Sequence, residues 1–281
     1  VALWLVPSDA IREQTLKALM NKQHPYRQSL DQRFNDKVRV CTLESLATVG
    51  PHEVGTNAII VVATIQAFRV ADTTQRNVYS FDESLIHHFT DVTSTLMPGL
   101  EVVTEADLVA QPFLTTADLG RVKASLANWL HLHKPVIIVD EAHTCASSGA
   151  GKQLRFELLQ RLARDAQRHL ILLTATPHSG DETAFYNLLS LLDTRFAALQ
   201  GRMTASDPLR QELARHFVQR RRKDIVEWQA ETHDGRGFPR RMKTELTYQL
   251  SGEWGAFFDA VQDYCRELAE TIEQQGQRQE Q

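Results

Sequence analysis

The apolar residues of this chain come in two spacings. Runs of strand length occur at 2–6, 58–63, 136–139 and from 169 toward 176, with a further β-branched strand candidate at 38–43, most of them rich in Val, Ile and Leu. Between them lie segments whose apolar residues recur every three or four positions, as in a helix with one buried face. These predict helices over about 10–21, behind the turn and cap Pro7-Ser8-Asp9, and over 116–132 through Leu119, Val122, Leu126 and Trp129. Two more follow, over 153–166 through Leu154, Leu158 and Leu162, and over 181–192 through Phe185, Leu188, Leu189 and Leu192. Residues 70–114 mix short helical signals with polar turns and read as an insertion. Apolar strands alternating with one-faced helices predict an α/β fold, a parallel sheet covered on both sides.

Ligands of such sheets sit beyond the carboxyl ends of the strands. Asp140-Glu141 and Thr174-Ala175-Thr176 are the polar ends of two of these runs, so they are expected along one edge. Past Asp193 the rhythm changes. A helix is predicted over 206–219, then the basic run Arg220-Arg221-Arg222-Lys223, a turn over 233–237 and a strand over 243–250. The last helix, over 253–274, carries Trp254, Phe257, Val261, Cys265, Leu268 and Ile272 at three- and four-residue spacing, a stripe expected to pack into a core. The remaining tail is polar.

Composition removes several classes. With 42% hydrophobic and 23% charged residues the chain reads as an ordinary globular protein. A net charge of -4 gives no global basic field, so any nucleic-acid binding must come from local patches. Cys41, Cys145 and Cys265 form no CxxC pair, which argues against a zinc site or a disulfide framework and suits a reducing, cytoplasmic setting. No apolar run approaches the roughly 18 residues of a membrane span. Val1-Ala2-Leu3-Trp4-Leu5-Val6 lacks the basic flank and cleavage pattern of a signal peptide and reads as the middle of a strand. The chain is therefore expected to be a fragment whose beginning lies upstream.

Candidate chemistry concentrates in Val136-Ile137-Ile138-Val139-Asp140-Glu141-Ala142-His143. Nucleotide hydrolysis needs a carboxylate to hold Mg²⁺, usually through water, and a base or positioner for the attacking water. Adjacent acids at the tip of a buried strand offer both, Asp140 for the metal and Glu141 for the water. The plainer alternative is an acidic pair solvated at a strand end. About thirty residues later, Leu172-Leu173-Thr174-Ala175-Thr176-Pro177 brings two hydroxyls to a second strand tip. Beside the acids they are placed to link a phosphate site to the rest of the protein.

These residues resemble motifs II and III of superfamily 2 helicases and translocases, the DEAH box and the TAT motif. Leu5-Val6-Pro7-Ser8 is similar to motif Ia, and Ala63-Thr64-Ile65-Gln66-Ala67-Phe68 to motif Ib. The resemblance implies a RecA-like domain using ATP and Mg²⁺. Asp140, Glu141, Thr174 and Thr176 would stand at the nucleotide, and His143 would couple hydrolysis to motif III. It also implies that Pro7, Ser8, Thr64 and Gln66 lie in loops that hold one strand's phosphate backbone, with Ser8 and Thr64 making the contacts. The stretch from Leu3 to Phe68 is similar to helicases related to type III restriction subunits. His178-Ser179-Gly180 and the segment from Phe217 to Ile225 resemble the Snf2-like branch.

A phosphate-cradling loop reads GxxxxGK[ST], and none occurs in the chain. The only Gly-Lys is Gly151-Lys152, where Ala146 replaces the first Gly and Gln153 the Ser/Thr, and it follows the acidic pair. Ser147-Ser148-Gly149-Ala150-Gly151 reads as a flexible turn, with the real loop expected upstream. Weaker features have plain readings. The Arg220–Lys223 run, with Arg236, Arg240, Arg241 and Lys243, is a phosphate contact or a solvated face. His87-His88 reads as a surface pair, and Trp228 and Trp254 as packing anchors. Together these readings give residues 1–195 as most of a first RecA-like domain without its phosphate loop. Residues 196–281 would be a mainly helical connector entering a second lobe. The implied function is ATP hydrolysis coupled to movement on nucleic acid. Double-stranded DNA is the expected track, with partner subunits in a bacterial defence or restriction complex. An RNA helicase and a catalytically inactive nucleic-acid clamp are the alternatives.

Overall fold

The apolar runs become one sheet whose inner strands are largely buried on both faces, while Ile171 on the edge strand over Leu170–Leu172 stays exposed. The structure, a computed structural model, describes residues 1–68, 78–93, 95, 97–146, 154–165, 167–177, 181–202, 204, 207–232, 242, 244 and 246–279. Strands β1 (Ala2–Val6), β2 (Val38–Cys41), β3 (Ala58–Thr64), β4 (Val136–Val139) and β5 (Leu170–Leu172) pair in parallel, in the order β2-β3-β1-β4-β5. Alternation along the strands sorts the core into two layers. Leu3, Leu5, Ile59, Val61, Ala63, Ile137 and Val139 bury into one; Val6, Ile60 and Val62 bury into the other. Each such fully buried aliphatic side chain stabilises the fold by about 1.5–3 kcal/mol. The parallel α/β sheet expected from the sequence is therefore the sheet observed.

The helices begin where polar side chains can cap them. Ser8 caps α1 (Asp9–Met20), His24 with Pro25 behind it opens α2 (Pro25–Phe34), and Gly50-Pro51 opens α3 (Pro51–Thr56). Leu19 of α1 is buried with Val6, Ile60 and Val62, while Ile11, Leu16 and Leu30 of α1 and α2 pack against them. The opposite layer takes segments from the region expected as an insertion. A 3-10 turn at Glu83–His88 and α4 (Glu105–Ala110) precede α5 (Leu126–His133). Leu85, Phe89, Leu126 and Trp129 are buried in this layer beside the strands. Next come α6 (Leu154–Ala163) and α7 (Glu182–Leu192), the latter capped by Asp181.

Residues 1–218 and 219–281 form two compact units. The first continues past the expected division at 195, because Phe196, Leu199 and Leu213 bury against Phe185, Tyr186 and Leu189 of α7. Leu213 belongs to α8 (Pro208–Leu213). The second unit contains α9 (Arg222–Thr232) and α10 (Gly252–Gln279). No described helix is long and apolar enough to cross a membrane.

Several expectations are corrected. The single helix over 116–132 is broken: Gly120 turns the chain at φ +78°, Val122 pairs with Val102 in an isolated antiparallel bridge, and Ser125 caps a new helix. The helix over 206–219 stops at Leu213. The run from 169 is a strand only as far as Leu172. Among the described residues of 243–250 there is no strand, because no partner strand offers them a ladder. Trp254, Phe257, Val261 and Leu268 of α10 are exposed, Trp254 to 73%, so the expected core stripe is not buried among the described residues. Trp228 is exposed as well. His88 is buried and its Nε2 lies 2.8 Å from the Val49 carbonyl, while His87 is exposed, so they are not a surface pair. The turns over 147–151 and 233–237, His178-Ser179-Gly180, and Arg236, Arg240, Arg241 and Lys243 lie outside the described residues.

Candidate functional site

Parallel register places four strand ends on one edge. Val6 pairs with Thr64, Leu5 with Val139, and Val139 with Leu172. The loops after β3, β1, β4 and β5 therefore emerge side by side, spanning about 14 Å at the usual strand spacing. Every candidate residue lies on this edge: Thr64 and Gln66 after β3, Pro7 and Ser8 after β1, Asp140 to His143 after β4, and Thr174 and Thr176 after β5.

Backbone bonds extend the sheet just past its strands and fix the acidic turn. The Asp140 N–H donates to the Leu5 carbonyl at 2.8 Å, and the Leu173 N–H to the Val139 carbonyl at 2.8 Å. The Ala142 N–H returns to the Leu173 carbonyl at 2.9 Å, so the turn is tied to both neighbouring strands. Between these ties Glu141 is left-handed, φ 47° and ψ 46°, and its N–H donates to Asp140 Oδ1 at 3.0 Å. Ala142 and Cys145 in the following 3-10 turn are fully buried, anchoring the segment from beneath. Burial pushes the Cys145 thiol up, away from a reactive thiolate.

His143 joins the two strand tips. Its Nδ1 lies 3.3 Å from Glu141 Oε2 and 3.0 Å from Thr174 Oγ1. Thr174 Oγ1 also accepts the Thr176 N–H at 3.2 Å. The Glu141 and His143 side chains are 37% and 27% exposed, open enough for a ligand but held in place. Asp140, Glu141, His143, Thr174 and Thr176 are thus one connected cluster.

A second link joins the other two loops: Gln66 Nε2 donates to the Pro7 carbonyl at 2.8 Å. Ser8 Oγ accepts the Ile11 N–H at a long 3.5 Å, which leaves its hydroxyl proton able to donate outward. Thr64 is half-buried at the end of β3. The left-handed backbone at Glu141 has no local signal, since Glu is not a turn former. A Gln two residues past a strand likewise carries no local signal that its amide is used within the protein.

The donor set discriminates among metals. Among the described residues no three His, Cys, Asp or Glu side chains converge as a metal cage. Zinc and calcium sites need such a set; Mg²⁺ takes one or two carboxylates and fills its shell with water and phosphate oxygens. Asp140, a single carboxylate at the tip of β4 beside the strand that leads to Thr174, fits Mg²⁺ carried by a nucleotide. Two open clefts of about 670 and 810 Å³ share the wall Phe81, Glu83 and Phe113; the smaller reaches the edge at Ala67, beside Gln66, and neither is lined by the acidic turn or the threonines.

The pattern of a family described as "Type III restriction enzyme, res subunit" matches residues 1–179. The segment from Phe217 to Ile225, which carries the Snf2-like resemblance, lies beyond those residues. No curated protein and no solved structure matches the chain.

Proposed function

The chain belongs to the type III restriction enzyme res-subunit family, a family of the superfamily 2 helicase type, and on that premise we propose that it is the motor segment of a nucleic-acid-dependent ATPase that moves on DNA. The observation that carries the reading is the bridge from Glu141 through His143 Nδ1 to Thr174 on two adjacent strand tips.

Glu141 orients the attacking water and takes its proton as the γ-phosphate bond breaks. Asp140 would hold Mg²⁺, which when bound neutralises charge on the phosphate oxygens. His143 Nδ1 is within reach of both an acid and a hydroxyl, and its bonding depends on where the protons lie. Protonated, the ring forms an ion pair with Glu141 and its Nδ1 donates to Thr174; with Nδ1 bare, it accepts the Thr174 hydroxyl. A change in charge at Glu141 therefore changes the bonding of Thr174, and through the Thr176 N–H the loop after β5. The Pro7-Ser8 and Thr64 loops lie on the same edge, where hydroxyls and backbone N–H groups suit a phosphate backbone. The family's description as a res subunit supports DNA as the track and partner subunits in a restriction or defence complex.

Because the chain holds no GxxxxGK[ST] loop, the purified 281 residues are expected to hydrolyse no ATP above background, with or without duplex DNA. Robust turnover by this chain would contradict that. Joined to such a loop, the protein is expected to turn over ATP and to respond to DNA. There Glu141→Gln should keep ATP binding and lose at least about a hundredfold in hydrolysis. Unchanged turnover would remove Glu141 from the role. A second reading is a nucleic-acid clamp without catalysis. A loop-bearing protein that binds DNA but never hydrolyses ATP would establish the clamp. Stimulation by RNA and not by DNA would change the track.

A further inference from the structure

We infer that Gln66 is a positioning residue that fastens the Pro7-Ser8 loop to the Thr64 loop, so that both meet a nucleic acid as one surface. The inference rests on the nucleic-acid reading above and deepens it. It assigns Gln66 to the protein's own framework rather than to contact with the ligand.

The β1–β3 ladder pairs Val6 with Thr64 and stops there, since Pro7 has no N–H to continue it. The next rung comes from a side chain. Gln66 Nε2 donates to the Pro7 carbonyl at 2.8 Å, joining residues 59 positions apart. Gln66 stands in the 3-10 turn Ile65–Phe68, whose Ile65 is fully buried, so the donor is held by the core. The amide has one productive orientation. Turned over, Oε1 would face the Pro7 oxygen and the bond would be lost. Oε1 is itself buried with no hydrogen-bond partner, a desolvation cost that persists because the other end of the amide is engaged. Ser8, the neighbour of Pro7, is tied to α1, its Oγ accepting the Ile11 N–H at 3.5 Å and its carbonyl the Arg12 N–H at 3.0 Å. The Gln66 bond is the side-chain link that ties this capped segment to the loop that follows Thr64.

The test uses the 281-residue chain and a fluorescent DNA duplex, with affinity read by anisotropy. Gln66→Leu keeps most of the volume and removes the donor. It is expected to weaken binding about fivefold, the equivalent of one hydrogen bond. Gln66→Glu supplies a second, independent readout. At pH 8 its carboxylate has no proton to give Pro7, and binding is weak; at about pH 4, below the ordinary glutamate value of roughly 4.3, the mostly protonated acid donates again. Its affinity relative to wild type at the same pH should recover, while that of Gln66→Leu should not. Equal affinity of Gln66→Leu and wild type overturns the inference and leaves the nucleic-acid reading standing. A Glu variant that shows no recovery relative to Leu also overturns it. Failure of the wild-type chain to bind the duplex removes the nucleic-acid reading itself.

Discussion

At Glu141 the backbone adopts a conformation that a β-carbon makes unfavourable, left-handed at φ 47°. For a residue other than Gly this costs roughly 1–2 kcal/mol. It is held by the Asp140 Oδ1 bond to its own N–H and by the Ala142 N–H bonded to the Leu173 carbonyl. Strain of this kind concentrates where a side chain must be aimed, and here it turns the acid toward His143. Glu141→Gly and Glu141→Ala both delete the carboxylate, so their difference isolates the backbone. The Gly variant should be more stable by about 1 kcal/mol in urea denaturation. Identical midpoints would show that the turn relaxes once the acid is gone. The identities Asp140, Glu141, His143 and Thr174 were legible as residue types at strand ends. The coupling role of His143 was expected from the resemblance alone; its contacts were not legible, because they depend on how two loops from different strands face each other.

At the scale of elements, the stretch over 116–132 shows how a correct apolar stripe can mislead. Leu126 and Trp129 are buried as its spacing required, but Leu119 is half-exposed and Gly120 breaks the helix. What replaces the missing turns is Asn128. It is buried; its Oδ1 accepts the Glu101 N–H at 2.9 Å, and its Nδ2 donates to the Glu101 and Lys123 carbonyls at 2.8 and 2.7 Å. Nearby, Lys123 pairs with Asp107 of α4 at 2.6 Å, both side chains largely buried. Asn128 thus serves as the missing ladder partner for two loop strands. Asn128→Ala would leave the Glu101 N–H and the Lys123 carbonyl without partners, while the Glu101 carbonyl keeps the Lys123 N–H at 2.9 Å, and is expected to cost about 2 kcal/mol in chemical denaturation. A loss below about 1 kcal/mol would mean that water replaces the amide. Periodicity sees only contacts along one element, so a side chain bonded to a loop 27 residues away is invisible to it.

Over the whole molecule, the buried residues among those described end at Leu213. The unit over 219–281 contributes none, and the apolar face of α10 is exposed along its described length. Deleting residues 219–281 should therefore leave the denaturation midpoint of the first unit within about 0.5 kcal/mol. A larger loss would show that the unit supports the core.

The sequence by itself determined the parallel sheet, the helices that cover it and the chemical character of its polar edge. Those follow from the spacing of apolar residues and from which strand ends are polar, and both are local properties. Only the tertiary structure decided the order of the strands, the length of the last helix's exposed face and the links that unite the edge. Those depend on register between segments far apart in the chain, where Gln66 meets Pro7 and His143 meets Thr174. A hydrogen bond needs its two groups within about 3 Å, and no pattern along one strand fixes a distance to another.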